Sequence, residues 1–301
     1  IMAVFGMKTA HLMSEVAYQN AVVYAKDRIQ SRSLTGPKAT DKPADPIIVH
    51  PDVRKMLLTT RAYAEGGRAL CMWTALELDK ELNHPDEAVR KEASEMVALA
   101  TPIVKAFITD NAWEATSHCM QVYGGHGYIA EWGMEQYVRD SRINMIYEGT
   151  NTIQSLDLLG RKVLGDGGAK LMKFGKMVRA LCESEANNPA MKEFIEPLAD
   201  LGDKVSKLTM EIGGKAMQNP DEVGAAAVDY LRVVGHLFYA YFFAKAAKIA
   251  LEKQASGDKF YTAKLHTARF YFQKMLPETA MLIRKARAGS SSLMEMEADL
   301  F

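Results

Sequence analysis

A chain of 301 residues that is 48% hydrophobic and 25% charged is long enough for a sizeable core, suggests two domains, and lies within the composition of soluble globular proteins. Lys plus Arg and Asp plus Glu balance at 37 each, which excludes the overall positive field that draws a protein to nucleic acid or an anionic membrane. Three scattered cysteines, Cys71, Cys119 and Cys182, make no C-x-x-C pair, so free thiols in a reducing, cytoplasmic setting are expected.

Apolar residues recur at spacings of three and four almost throughout, which predicts an all-α fold. The first helix is predicted from about Ala3 to Ile29, with Met7, Ala10, Met13, Ala17, Ala21 and Tyr24 along one stripe. Pro37, Pro43 and Pro46 then predict an extended loop from about Ser33 to His50. Pro51 opens a second helix that ends at Asn83-His84-Pro85. A third runs from about Glu87 to Tyr123, and Pro102 inside it is expected to kink or divide it. After a short segment from about Met134 to Arg142, a further helix is predicted near Thr150, where Asn151 and Gln154 have the spacing of a capping box.

The glycine-rich run Gly165 to Gly168 marks the expected domain boundary, dividing the chain into 1–164 and 165–301. Beyond it about four helical segments are expected, separated by Asn188-Pro189, Asn219-Pro220 and Ser256-Gly257-Asp258, forming a second antiparallel bundle. The longest strongly apolar stretch, Val233 to Ala244, falls short of the roughly 20 residues of a membrane helix, so no span is expected. The chain begins with Ile1 and shows no basic region followed by a cleavage site, which reads as a piece of something longer.

Three stretches depart from plain bundle sequence. In Gln121-Val122-Tyr123-Gly124-Gly125-His126-Gly127-Tyr128, closely spaced glycines allow a tight turn and close approach of a ligand, or simply stop a helix. In Ile146-Tyr147-Glu148-Gly149-Thr150-Asn151, a carboxylate precedes a helix N-terminus, where it could complement the dipole or serve a site that also takes an anion. In Tyr24-Ala25-Lys26-Asp27-Arg28-Ile29-Gln30, Arg28 could grip a phosphate or pair with free carbonyls at the helix end.

In their order and spacing these stretches resemble the acyl-CoA dehydrogenase family, with Q-V-Y-G-G-H-G-Y, R-D-S-R-I and I-Y-E-G-T-N following in turn between Gln121 and Gln154. The resemblance covers Met2 to about Leu164. Residues Arg28 to Leu57 resemble a bacterial branch that carries a helical C-terminal extension and includes 3-methylmercaptopropionyl-CoA dehydrogenases, and Lys170 to Phe301 is similar to that extension in position and helicity. The implied fold is the family's C-terminal four-helix bundle followed by a second helical bundle, without the N-terminal helical and middle β domains.

The resemblance implies an FAD enzyme that oxidises an acyl-CoA to its trans-2-enoyl thioester, with Glu148 taking the α proton and hydride passing to flavin N5. Burial beside an apolar acyl chain would raise the pKa of that glutamate and improve it as a base. Arg28, Gln121 and Gly125, with Gln30 and Gly124 beside them, match positions at the adenosine diphosphate half of FAD, typically reached from a neighbouring subunit of a homodimer or homotetramer. Thr150 and Thr152 match further FAD contacts, and Tyr147 and Gly149 match the border of the substrate carbonyl. Electron-transfer flavoprotein is the implied acceptor.

Acyl-CoA oxidases share the base and are the nearest alternative. Helical DNA-binding relatives are another, for which Lys245, Lys248 and Lys253 with Arg284, Lys285 and Arg287 are the only modest basic clusters. A di-iron bundle would need two Glu-x-x-His pairs, and only Glu81 and His84 have that spacing. His118-Cys119 has no partner pair for zinc, so no metal is expected.

Overall fold

The computed structural model describes residues 2–301, the side chains of 2–10 excepted, so Met7 and Ala10 lie outside the side chains described. Among the described residues the chain is all-α, with a single antiparallel bridge between Ile29 and Pro46 in place of any strand. No helix is long and apolar enough to cross a membrane, and no cluster of His, Cys, Asp and Glu could hold a metal ion, again among the described residues.

The helices are α1 (Met2–Asp27), α2 (Pro51–Asn83), α3 (Glu87–Tyr123), α4 (Gly125–Tyr128), α5 (Met134–Ile143) and α6 (Asn151–Leu156), which continues as a π-helix over Asp157–Val163. They are followed by α7 (Ala169–Ser184), α8 (Lys192–Ala216), α9 (Asp221–Lys253), α10 (Lys259–Phe270), α11 (Glu278–Arg287) and α12 (Ser291–Met294). The ends of α2 and α3 fall where the proline and glycine signals put them.

Pro102 neither ends nor divides α3. Proline removes one N–H from the ladder, but Leu99, Ala100, Ile103 and Val104 around it are fully buried, and tertiary packing overrides the local penalty. The last expected segment, after Gly257, is two helices instead of one: α10 passes into a π-helix over Tyr271–Met275, and Pro277 occupies the N-cap position of α11.

The chain forms two compact units. One comprises residues 1–68 and 108–148, the other 69–107 and 149–301. In the first unit, Ala17, Ala21 and Ala25 give α1 a flat face, and they cluster with Ile47, Val53, Leu57, Cys119, Val122 and Met134. Alanines at this spacing let neighbouring backbones approach closely while each larger residue buried with them contributes about 1.5–3 kcal/mol.

In the second unit the central element is α9, buried on all sides from Tyr230 to Ala244 except at the half-buried Arg232, as expected of a helix that is apolar all round. Phe174 stacks on its Phe238 at 3.7 Å, and Trp73 from α2 meets Phe174, Phe238 and Phe242 at 5.8–6.1 Å. Phe107 from α3 lies edge-on to His236 and Tyr239. These aromatic contacts are why the C-terminal part of α2 and most of α3 belong with the second-half helices.

Candidate functional site

In the first unit, a cavity of about 630 Å³ lies where the end of α1, the segment after it and the end of α3 meet. Arg28, Gln30, Gln121, Gly124 and Gly125 all line it. Arg28 and Gln30 lie just beyond α1, not within it: Gln30 N–H donates to Asp45 O at 2.9 Å, and Ile47 N–H donates to Arg28 O at 2.8 Å. These bonds hold the two residues as a short extended rung. No ion pair engages the Arg28 guanidinium among the described residues.

The glycines divide by role. Gly124 turns the chain out of α3 at φ +58°, ψ −140°, a region that side chains other than glycine's rarely adopt. Gly125 is followed by open space, with nothing within 4 Å of where a Cβ would stand, so the backbone can be approached there. At Gly127 a Cβ would come within 2.4 Å of Met120 O, so glycine lets α4 pack on the last turn of α3.

The sequence reading missed the aromatic side of this cavity. Tyr24 stacks on Tyr123 at 4.1 Å, its hydroxyl lies 3.0 Å from His126 Nδ1, and the His126 ring stacks on Trp132 at 4.7 Å. It also missed Asp45, which is fully buried. Burial alone would raise its pKa, but N–H groups of Ala39, Ser33 and Lys38 and the Arg32 guanidinium outweigh that and hold the carboxyl well below the usual carboxylate range. An aspartate among prolines in a long loop carries no helical or strand periodicity, so no pattern marks it.

The second group of expected residues is consecutive in the chain. Tyr147 and Glu148 end the first unit, and Gly149 begins the second of the two segments that make up the other unit. Glu148 sits at φ +55° and Gly149 at φ +83°, so two successive residues take the left-handed conformation. Glu148 is exposed. The Tyr147 hydroxyl donates to Asn144 Oδ1, and its pKa is raised by burial and then by the Glu148 carboxylate.

Thr150, not Asn151, is the cap of α6: Ile153 N–H donates to Thr150 Oγ1 at 3.4 Å. Asn151 is diverted, because buried Lys105 donates to its Oδ1 at 2.7 Å and its own amide donates to Ala106 O at 3.2 Å. Thr152 is exposed in the first turn of α6. The sequence signal for Lys105 is a lone cation in the apolar run Ile103 to Ile108.

Elsewhere, three of the six basic side chains in the clusters weighed for nucleic acid are ion-paired: Lys248 with Glu185, Lys285 with Asp229 and Arg287 with Glu211. The three cysteines are free.

Residues 8–164 match the family described as acyl-CoA dehydrogenase, C-terminal domain, and residues 174–297 match that described as acetyl-CoA dehydrogenase C-terminal like. A 3-methylmercaptopropionyl-CoA dehydrogenase of Ruegeria pomeroyi is 41% identical over 269 residues, which are 88% of this chain and 45% of the relative. A broad-specificity linear acyl-CoA dehydrogenase of Mycobacterium tuberculosis is 32% identical over 300 residues, 94% of this chain and 48% of the relative. The chain thus spans a little under half the length of these curated relatives. Among solved structures, an acyl-CoA dehydrogenase from Bacillus anthracis complexed with FAD shares the fold, with a TM-score of 0.68 at 19% identity over 93% of this chain and 46% of that one.

Proposed function

Because the chain belongs to the acyl-CoA dehydrogenase family, we propose that it is the C-terminal part of an FAD-dependent enzyme that oxidises an acyl-CoA to its trans-2-enoyl thioester, with Glu148 as the base for the α proton. The observation that carries this reading is the backbone of Glu148. A residue with a side chain is held at φ +55° immediately before Gly149 and the capped start of α6. Such positions cost of order 1–3 kcal/mol and cluster where function requires a particular aim.

The first-unit cavity fits the adenosine diphosphate half of FAD. It offers the Arg28 cation, the amide side chains of Gln30 and Gln121, and close backbone approach at Gly124 and Gly125. Arg28 suits a diphosphate because its planar fork can meet two oxygens at once. Thr150 and Thr152, at the start of α6, are proposed as further cofactor contacts, and Tyr147 and Gly149 as the border of the substrate carbonyl. FAD, when bound, supplies the two-electron acceptor for the β hydrogen.

Glu148 performs the other half of the reaction: its carboxylate takes the α proton, so the substrate loses one proton and one hydride and gains a carbon–carbon double bond. An apolar acyl chain laid over the exposed carboxylate would strengthen it as a base by excluding water. The name of the 41% identical relative makes the 3-methylmercaptopropionyl thioester the first substrate to test. The same reading includes electron-transfer flavoprotein as acceptor, a cofactor site shared between subunits of a homodimer or homotetramer, a cytoplasmic location, and a division at 164/165. The change of family match between residues 164 and 174 supports that division.

The test is Glu148→Gln in the full-length protein that carries this chain. Flavin content and substrate binding should survive, while reduction of the flavin, followed by stopped-flow bleaching, falls by at least the roughly 10²–10⁴-fold that a general base contributes. Bleaching within about tenfold of wild type would place the base elsewhere. Fast peroxide release in air would move the assignment to an oxidase.

A further inference from the structure

We propose that Asp45 is a positioning residue for the first-unit cavity: its buried carboxylate folds the segment between α1 and α2 so that Arg28 and Gln30 stand ready at the cavity wall. The role rests on the reading of that cavity as the place of the FAD diphosphate.

The segment has little regular structure of its own. Between Asp27 and Pro51 it contains three prolines, one bridge and a single 3-10 turn at Ile47–Val49. A connection of this length needs an internal organiser to hold one conformation. Asp45 supplies it. Its Oδ1 accepts from Lys38 N–H at 2.7 Å, Ala39 N–H at 2.7 Å and Arg32 at 3.2 Å, and its Oδ2 accepts from Ser33 N–H at 2.9 Å. A carboxylate at 0% exposure cannot give up these donors without a large desolvation penalty, so the fold of the segment is set before any ligand arrives.

That fold reaches the cavity along the main chain. Asp45 N–H donates to Ser31 O at 2.8 Å while Asp45 O accepts from Gln30 N–H at 2.9 Å, so one residue closes the rung from both sides. Ser31 is held at φ +61° in the process, and His50 Nε2 anchors Gln30 O at 3.0 Å.

The same carboxylate sorts two arginines that both border the cavity. Arg32 is engaged by Asp45 and by the carbonyls of Ala39 and Lys42, whereas Arg28 has no ion pair among the described residues. Asp45 thereby removes one cation from the anion's choice and leaves the other correctly placed.

The experiment compares Asp45→Asn, Asp45→Glu, Arg32→Gln and Arg28→Ala in the FAD-loaded full-length protein, measuring FAD dissociation, amide hydrogen exchange at residues 31–45, and flavin reduction at saturating FAD. Asp45→Asn should speed exchange at Ser33, Lys38 and Ala39 and weaken FAD by about 10- to 100-fold, the scale of one charge-assisted hydrogen-bond site. Reduction at saturating FAD should stay within about twofold, a split that general unfolding would not produce, and Asp45→Glu should recover part of the affinity. If Asp45→Asn does not fold, Arg32→Gln keeps the three N–H donors and should give a smaller loss of the same kind. Faster exchange with unchanged FAD affinity, while Arg28→Ala weakens binding, overturns the positioning role alone. If Arg28→Ala also leaves affinity unchanged, the reading of the cavity fails and the role falls with it.

Discussion

Gly235 of α9 faces the ring of Phe107 so closely that a Cβ at that glycine would stand 2.5 Å from the ring's Cγ and 2.7 Å from both Cδ atoms. Both residues lie in the second unit, and Phe107 is fully buried with His236 and Tyr239 against its other edges, so the ring has nowhere to go. Gly235→Ala should therefore destabilise the protein by about 1–3 kcal/mol from overpacking, despite the roughly 1 kcal/mol gain in helix propensity. Urea unfolding measures this. A midpoint equal to or above wild type would mean that the two helices part easily at this point.

The neighbouring His236 leads to a pH dependence. It is completely buried, its Nδ1 lies 2.9 Å from the Tyr271 hydroxyl, and that hydroxyl also donates to His236 O at 3.2 Å. Burial first, and then Arg232, push the imidazole pKa down from 6.5 to about 3. The folded value is below the unfolded one, so this group's stabilisation is fully present above about pH 6.5 and is lost as pH falls from there toward 3. The loss is on the order of a few kcal/mol. Unfolding free energies of wild type and His236→Gln across that range should converge as pH falls. Parallel curves would show that His236 does not titrate with unfolding.

The three glycines after α3 should respond differently to alanine. Gly127→Ala drives a Cβ to 2.4 Å from a main-chain oxygen and Gly124→Ala forces φ +58°, so both should lower the melting temperature. Gly125→Ala meets open space and should leave the melting temperature of the unliganded protein unchanged while weakening FAD binding in the full-length enzyme. Equal melting temperatures for all three would contradict the geometry. Unchanged FAD affinity in the Gly125 variant would argue against close approach of the cofactor there.

Asn151 ties the start of α6 to α3 through Lys105 and Ala106 O, all within the second unit. Asn151→Leu keeps the branching of the side chain but removes both bonds, and losing two hydrogen bonds, one of them from a charged group, should cost about 1–3 kcal/mol. Because Glu148 lies three residues upstream, the same variant should slow flavin reduction in the full-length enzyme without releasing FAD. An unaltered reduction rate alongside the expected stability loss would show that the base is aimed by other contacts.

What the amino-acid order determined by itself is what depends on short-range pattern. Helical periodicity, Pro51, Asn83-His84-Pro85 and the glycines after Tyr123 placed α2 and α3 because helix starts and stops are decided within a turn or two of chain. The motif residues Arg28, Gln30, Gln121, Gly124 and Gly125 were legible as a set, and the tertiary structure alone showed that they line one cavity. Pro102 went the other way: its local penalty was plain, but the buried residues around it decided the outcome. The cap passed from Asn151 to Thr150 because Lys105, 46 positions away in sequence, took the asparagine side chain. Asp45 finds its donors 6 to 13 positions away in a segment without periodicity, and Trp73 and Phe107 find partners more than a hundred residues away on α9. Such contacts exist only once burial makes an unpaired carboxylate or an exposed aromatic ring costly, and that condition is set by the folded whole.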